Sequence, residues 1–338
     1  MTEALVGVLL FLVITGAVFA LVLPDIQLSQ AGPVAVDLQQ RARVASAALD
    51  ADLRRAGAGL TSGAFAGSLA RHFAAVVPRR LGPGSPDGPY DVRPDALSII
   101  AAADGGHTVL ADPLLADGVL SVAPGGACPQ GRPFCGFGTG DLLMVLAADG
   151  IVDLVTVESL AASTGLVSPW QGARSRVYDA GSAVVGADVR TYVFDQARRQ
   201  LRQTVQRSSS LALVDGVAEV RFTYFGDPRP PTEPRPPTGV ANCLYDEAGA
   251  AVPLPVLPGD PVGLVELPLS LFGDGPWCGS GDFQYDADLL RVRRVAVRLR
   301  LEALVPGRQL RQSPHALSGV ADFGLSTGVA PSNLGAGR

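Results

Sequence analysis

From Ala4 to Leu23 the chain runs twenty residues without a charge. At 1.5 Å per residue, a helix of that length spans roughly 30 Å, the hydrocarbon thickness of a bilayer. Pro24 is expected to kink or end that helix, and Gly32-Pro33 is a second break. From Pro33 the pattern changes. Val34, Leu38, Ala42, Ala45, Leu49, Leu53 and Ala56 recur at three- and four-residue steps, while Asp37, Arg41, Asp50 and Arg54 populate other faces. This predicts an amphipathic helix with one apolar stripe and Pro33 in its first turn. Its end falls near Arg54-Arg55-Ala56-Gly57, where basic residues occupy the last turn and Gly supplies the stop. The expected layout is a transmembrane helix over 1–23 and an amphipathic helix continuing outward over 24–60. Between them, Pro24, Gly32 and Pro33 bracket the polar joint DIQLSQA, residues 25–31.

Beyond residue 60 the period shortens towards two. Leu97–Ala101 and Thr108–Ala111 read as short strands. Asp141–Ala147 and Ile151–Glu158 flank Ala148-Asp149-Gly150, a hairpin signal. Thr191–Phe194 and Gln200–Val205 form a second hairpin pattern, and Val217–Phe225 follows the turn Asp215-Gly216. In 291–303, Arg294, Arg298 and Arg300 alternate with Val295, Val297, Leu299 and Leu301, which predicts a strand with one buried and one wet face. GDPRPPTEPRPPTG, residues 226–239, is a proline-rich loop that opens an insertion over 226–286. The pattern therefore predicts an α+β chain, with an antiparallel, β-rich head over 61–325 and a loose tail over 326–338.

Composition refines this picture. Hydrophobic residues make up 47% and charged residues 17%, so the chain is not of the disordered class. Gly and Pro together number 67 (40 plus 27), which favours many turns and short strands. The net charge of −5 argues against a dedicated nucleic-acid binder, and all 27 basic residues are arginine. The four cysteines fall into two groups, Cys128 with Cys135 and Cys243 with Cys278. Behind a membrane anchor, an even count points to disulfides in an oxidising compartment. Three pairings are open, and 128–135 with 243–278 is the simplest. Neither pair has the knuckle spacing of a zinc site, and His72, His107 and His315 lie far from both in sequence.

Thr2-Glu3-Ala4-Leu5-Val6, followed by the uncharged run, resembles the start of a mature type IV pilin. Leu49–Gly57, LDADLRRAG, is similar to the end of the long helix in PilW-like minor pilins. Gly140-Asp141 before an apolar strand, Val214-Asp215-Gly216-Val217 before Val220-Arg221-Phe222, and the late strand at Arg291–Leu299 resemble that family's later elements, in the same order. The resemblance implies a prepilin-type N-terminal helix bearing a pilin-like head. It also implies an assembly role for Glu3, with Thr2 beside it. In pilins the glutamate faces the N-terminal ammonium of a neighbouring subunit, which relieves the cost of a lone carboxylate in an apolar filament core and sets axial register. Prepilins also carry a short basic leader ending in Gly ahead of the Glu; if such a leader lies upstream of Met1, prepilin peptidase is a further partner.

The expected function is that of a minor pilin that primes or joins a type IV pilus-like filament. Its expected partners are other minor and major pilins, contacted through the N-terminal helix, and an inner-membrane assembly platform. The expected location is the inner membrane, single-pass with a periplasmic head, and then the pilus or cell surface. A type II secretion pseudopilin of the GspJ kind shares the helix and general strand order. A membrane-anchored periplasmic binding domain that never polymerises is the alternative from another class. No G-x-S-x-G elbow, H-E-x-x-H helix or Walker loop occurs, and Cys278-Gly279-Ser280-Gly281 has no His nearby in sequence, so no enzymatic role, cofactor or metal is expected.

Overall fold

The computed structural model describes residues 2–60, 67–81, 87–114, 120–122, 136–147, 150–161, 165–167, 177–205, 210–260, 263–279, 283–302 and 318–324. Within these elements, side chains are described except at 2–5, 9, 21–35, 104–106, 161, 165–167 and 318–324.

A single helix, α1, runs from Thr2 to Arg55. The apolar stripe read from its second half is the buried one. Leu38, Ala45, Leu49, Leu53 and Ala56 are all core residues, and Ala42 packs against them. Burying a leucine is worth about 1.5–3 kcal/mol, so Leu38, Leu49 and Leu53 suffice to hold this half of the helix on the head. On the outer faces Asp37 pairs with Arg41, and Asp50 with Arg54, one turn apart. Gly57 stops the helix. It takes φ +67°, its amide donates to the Ile100 carbonyl at 2.8 Å, and a Cβ there would lie 2.7 Å from that of Ala70.

One expectation needs correction. Helix α1 passes through Pro24 and Gly32-Pro33 without a break, so the two expected helices meet within one element, Thr2–Arg55. Each proline removes one backbone donor, yet its fixed φ suits a helix. The long flanking turns already meet the nucleation cost that would otherwise favour a break.

The described residues of the head form fifteen strands in chain order. They are β1 (Val76–Val77), β2 (Ala96–Val109), β3 (Leu142–Leu146), β4 (Val152–Thr156), β5 (Ser159–Ala161), β6 (Gly165–Val167), β7 (Ala183–Asp195), β8 (Gln200–Val205), β9 (Leu211–Asp215), β10 (Val217–Gly226), β11 (Val265–Leu267), β12 (Trp277–Cys278), β13 (Tyr285–Asp286), β14 (Val292–Leu301) and β15 (Ser318–Gly324). A seven-stranded sheet runs β1-β2-β7-β3-β4, and β8 also pairs with β7 and carries β9. A four-stranded sheet runs β11-β10-β14-β15, and β5-β6 and β12-β13 are separate two-stranded ribbons. All the pairings are antiparallel.

Both expected hairpins form. β3 pairs with β4 from Leu142↔Thr156 to Leu146↔Val152, closed by Gly150 at φ +85°. β7 pairs with β8 from Arg190↔Val205 to Asp195↔Gln200. The two short strands expected at 97–101 and 108–111 are instead parts of one strand, β2, irregular between Ala102 and His107. At Gly216, φ +73°, the chain leaves β9 in the first sheet and enters β10 in the second.

One hydrophobic core joins the docked half of α1 to both sheets, from Leu38 through Val185 and Phe222 to Leu301. A second cluster lies around β3, β4 and Tyr178. The insertion over 226–286 is not a free loop. It returns as β11 to pair with β10, and Leu244, Tyr245, Cys278, Ala287 and Leu290 form a small core beneath it. Cys243 and Cys278 are disulfide-bonded across a separation of 35 residues, and such closure is worth roughly 3–4 kcal/mol in the chain-entropy model. Cys128, Cys135 and the tail over 326–338 lie outside the described residues.

Candidate functional site: a bare apolar stem clamped to the head

Among the described side chains of the first half of α1, 6–8 and 10–20, none is buried. Val6, Val8, Leu10, Phe11, Leu12, Val13, Ile14, Val18 and Phe19 are each 53–69% exposed. Residues 10–14 alone sweep more than a full turn, so no face of this stretch is polar. The Thr15 hydroxyl donates to the Phe11 carbonyl at 2.7 Å, which satisfies the one polar side chain among them within the helix itself. A surface of this kind needs an apolar environment on all sides, from lipid or from other helices. Among the described residues, no helix is long and apolar enough to cross a membrane. The described side chains in this stretch cover 6–8 and 10–20, short of the roughly twenty that a span takes. Thr2 and Glu3 lie in the first turn of α1, and Pro24, Gly32 and Pro33 in its interior; the side chains of all five are outside the described set.

Where the helix meets the head, a polar cluster sits beside the leucines. Asp52 is buried at 3% exposure, three residues after Leu49 and therefore on the stripe. Its carboxylate accepts from Arg190 Nη1 at 2.6 Å, from Gln203 Nε2 at 3.0 Å and from the Tyr192 hydroxyl. The Gln203 amide also donates to the Tyr192 oxygen at 2.7 Å. Asp188, Arg190 and Tyr192 alternate along β7 and so share one face of the strand. Asp188 adds ion pairs to Arg190 at 3.1 Å and to Arg55 at 3.6 Å. Burial, and then the Asp52 carboxylate, push the Tyr192 phenol far above the usual tyrosine range, so it remains a donor. The stretch LDADLRRAG thus does three things. Leu49 and Leu53 fill the core, Asp52 and Arg55 bond to the sheet, and Asp50 and Arg54 face outward.

A second buried ion pair anchors the insertion. Arg291 is fully buried. Its Nε lies 2.5 Å from Asp288, and its two terminal nitrogens donate to the carbonyls of Pro228 (3.0 Å) and Pro255 (2.8 Å). Carboxylate oxygens of Asp274, Asp286 and Asp288 come within 4.8 Å of one another. Asp288 is engaged by Arg291, and Asp286 accepts the amides of Gly275 and Asp288, so these two act as ion-pair and turn residues. Burial raises the Asp286 carboxyl and pushes that of Asp288 up to about 6.

The arginines of the late strand fall as the alternation predicts. Val295, Val297, Leu299 and Leu301 are buried and Arg298 is exposed. Arg300 faces Glu219 at 3.7 Å, Arg293 faces Asp227 at 3.1 Å, and Arg294 lies over the Phe225 ring. The clamp residues Arg190, Tyr192 and Gln203 and the buried Arg291 escaped the sequence reading. The available signal was Asp52, a carboxylate on an apolar stripe. No family model matches the chain, and neither does any curated protein or solved structure.

Proposed function

We propose that the chain is a minor pilin-like subunit of a type IV pilus-like filament. The observation that carries this reading is the division of labour along α1. Its inner half is locked into a β-rich head, and the described side chains of its outer half, 6–8 and 10–20, are apolar on every face and uncovered. Packing that outer half among the helices of other subunits, after residence in the inner membrane, supplies the apolar surroundings it needs. In this reading Glu3 pairs with a neighbour's N-terminal ammonium and sets the register. The test is Glu3→Ala. Removing a charge makes membrane insertion no harder, while the subunit pairing is lost. The variant is therefore expected in the membrane fraction at wild-type levels and depleted from sheared filaments. Normal incorporation would sink the idea.

Clefts in the head favour a second reading, a membrane-anchored periplasmic binding domain. One, of about 340 Å³, is lined by His72, Asp153, Trp277, Gln284 and Tyr285 beside the disulfide. In that reading Glu3 is dispensable for every property of the protein. A GspJ-like pseudopilin uses the same stem, and the composition of the filament fraction tells it from a pilus subunit.

A further inference from the structure

Three arginines from distant parts of the chain converge on one cleft. Arg71 comes from the segment after α1, Arg229 from the proline-rich loop, and Arg293 from β14. With Pro230, Pro231 and Leu290 they line a cleft of about 310 Å³, whose remaining walls include Asp227 and Glu233. The charges do not balance. Asp227 is taken by Arg293 at 3.1 Å, and Glu233 accepts the backbone amide of Arg235 at 3.1 Å. Arg71 and Arg229 are exposed and have no hydrogen-bond or ion-pair partner among the described residues. Burial lowers the Arg293 guanidinium below the usual arginine range, and the neighbouring positive charge of Arg71 pushes the same way, against Asp227.

The cleft wall is held in place rather than free to swing. The Pro228 carbonyl accepts from Arg291, that of Thr232 from the Tyr245 hydroxyl at 2.9 Å, and that of Pro234 from Asn242 at 2.9 Å. The Arg229 backbone is therefore fixed against the body on both sides. Arg293 is held by Asp227 and donates to the Leu290 and Val292 carbonyls, so it supplies a fixed positive wall, while Arg71 and Arg229 bring the forked N–H donors that recognise a planar or tetrahedral oxyanion in a concave, partly apolar site. The volume exceeds that of a lone anion, since a water's share of liquid volume is about 30 Å³. The prolines and Leu290 offer a wall for a short aliphatic portion.

We propose that Arg71, Arg229 and Arg293 form a binding site on the head for a small carboxylate- or phosphate-bearing molecule. This site does not depend on the filament reading. It is tested with the full chain in detergent micelles, titrated separately with succinate and with inorganic phosphate, the ionic strength held constant with sodium chloride. Saturable calorimetric binding is expected for at least one probe. Succinate alone assigns a carboxylate ligand, phosphate alone a phosphate ligand, and both together a general oxyanion site. Arg71→Gln and Arg229→Gln are each expected to weaken binding by about tenfold, with an unchanged thermal midpoint in the absence of anion, because neither guanidinium makes a bond among the described residues. No saturation by either probe up to about 50 mM, or affinity unchanged in both variants, overturns the proposal.

Discussion

Asp52→Ala separates a clamp that fixes the stem to the head from a helix held by leucines alone. The substitution removes the acceptor for Arg190 Nη1, Gln203 Nε2 and the Tyr192 hydroxyl at a position only 3% exposed. Deleting one partner of a buried ion pair costs about 3–5 kcal/mol. Here the loss is smaller, because Arg190 keeps Asp188 at 3.1 Å and Gln203 keeps Tyr192 at 2.7 Å. About 2–3 kcal/mol is expected, which lowers the urea midpoint by about 1 M at an m-value near 3 kcal/mol/M. Asp50→Ala is the internal control. It lies two residues away on the same helix, and its Arg54 partner is largely exposed, so no resolvable change in midpoint is expected. The assay is urea unfolding of the full chain in a mild detergent, followed by Trp fluorescence and far-UV circular dichroism. Asp52→Asn, which keeps the shape and one acceptor, should fall between the two. Equal midpoints for Asp52→Ala and Asp50→Ala would refute the clamp.

Two further expectations concern the insertion and the stem. Burial lifts the Asp288 carboxyl to about 6, with Asp286 and Asp274 pushing the same way and Arg291 opposing, so the folded protein holds this proton more tightly than the unfolded chain does. Stability from this group is therefore lost as the pH rises through about 6 and fully present only below the ordinary Asp value of 3.8, and Asp288→Asn should flatten that slope in unfolding midpoints. In the stem, residues 25–31 are helical in the isolated chain and are expected to lose helix on assembly. Hydrogen exchange would show weaker protection of those amides in filaments than in free protein, and strong, equal protection in both states counts against a melting joint.

Local patterns in the sequence gave the right answer wherever one period governed burial. The stripe from Leu38 to Ala56, the stop at Gly57, the turn at Gly150 and the alternation in β14 each depend on neighbours within a few residues. The misses are non-local. β9 and β11 are short and become strands only because β8 and β10 offer open edges. Arg190 meets Asp52 across 138 residues, and Arg291 meets Pro228 across 63, so no window of sequence contains both partners. Pro24 and Pro33 misled in the opposite direction. Proline chemistry argues locally for a break, and the long helix on either side overrides it.

The position of those prolines still has a mechanical meaning. Among the described residues the first core residue on α1 is Leu38, while Val36, two residues earlier, is 65% exposed. From Leu38 to Ala56 the helix is fastened by apolar packing and by the Asp52 and Arg55 ion pairs, so it moves with the head as one body. Before Leu38 the described side chains of α1 have no core contact. Bending or melting that leaves the described head contacts intact must therefore occur N-terminal to Leu38, and Pro24 and Pro33 are where the backbone ladder there lacks donors. An extended residue rises about 3.3 Å against 1.5 Å in a helix, so converting 25–31 would lengthen the connection by roughly 12 Å. Because the clamp lies outside this stretch, that change would shift the head along the stem and leave the described contacts from Leu38 to Ala56 in place. It follows that substitutions at Asp52 should alter stability without altering extension, and substitutions at Pro24 or Pro33 the reverse.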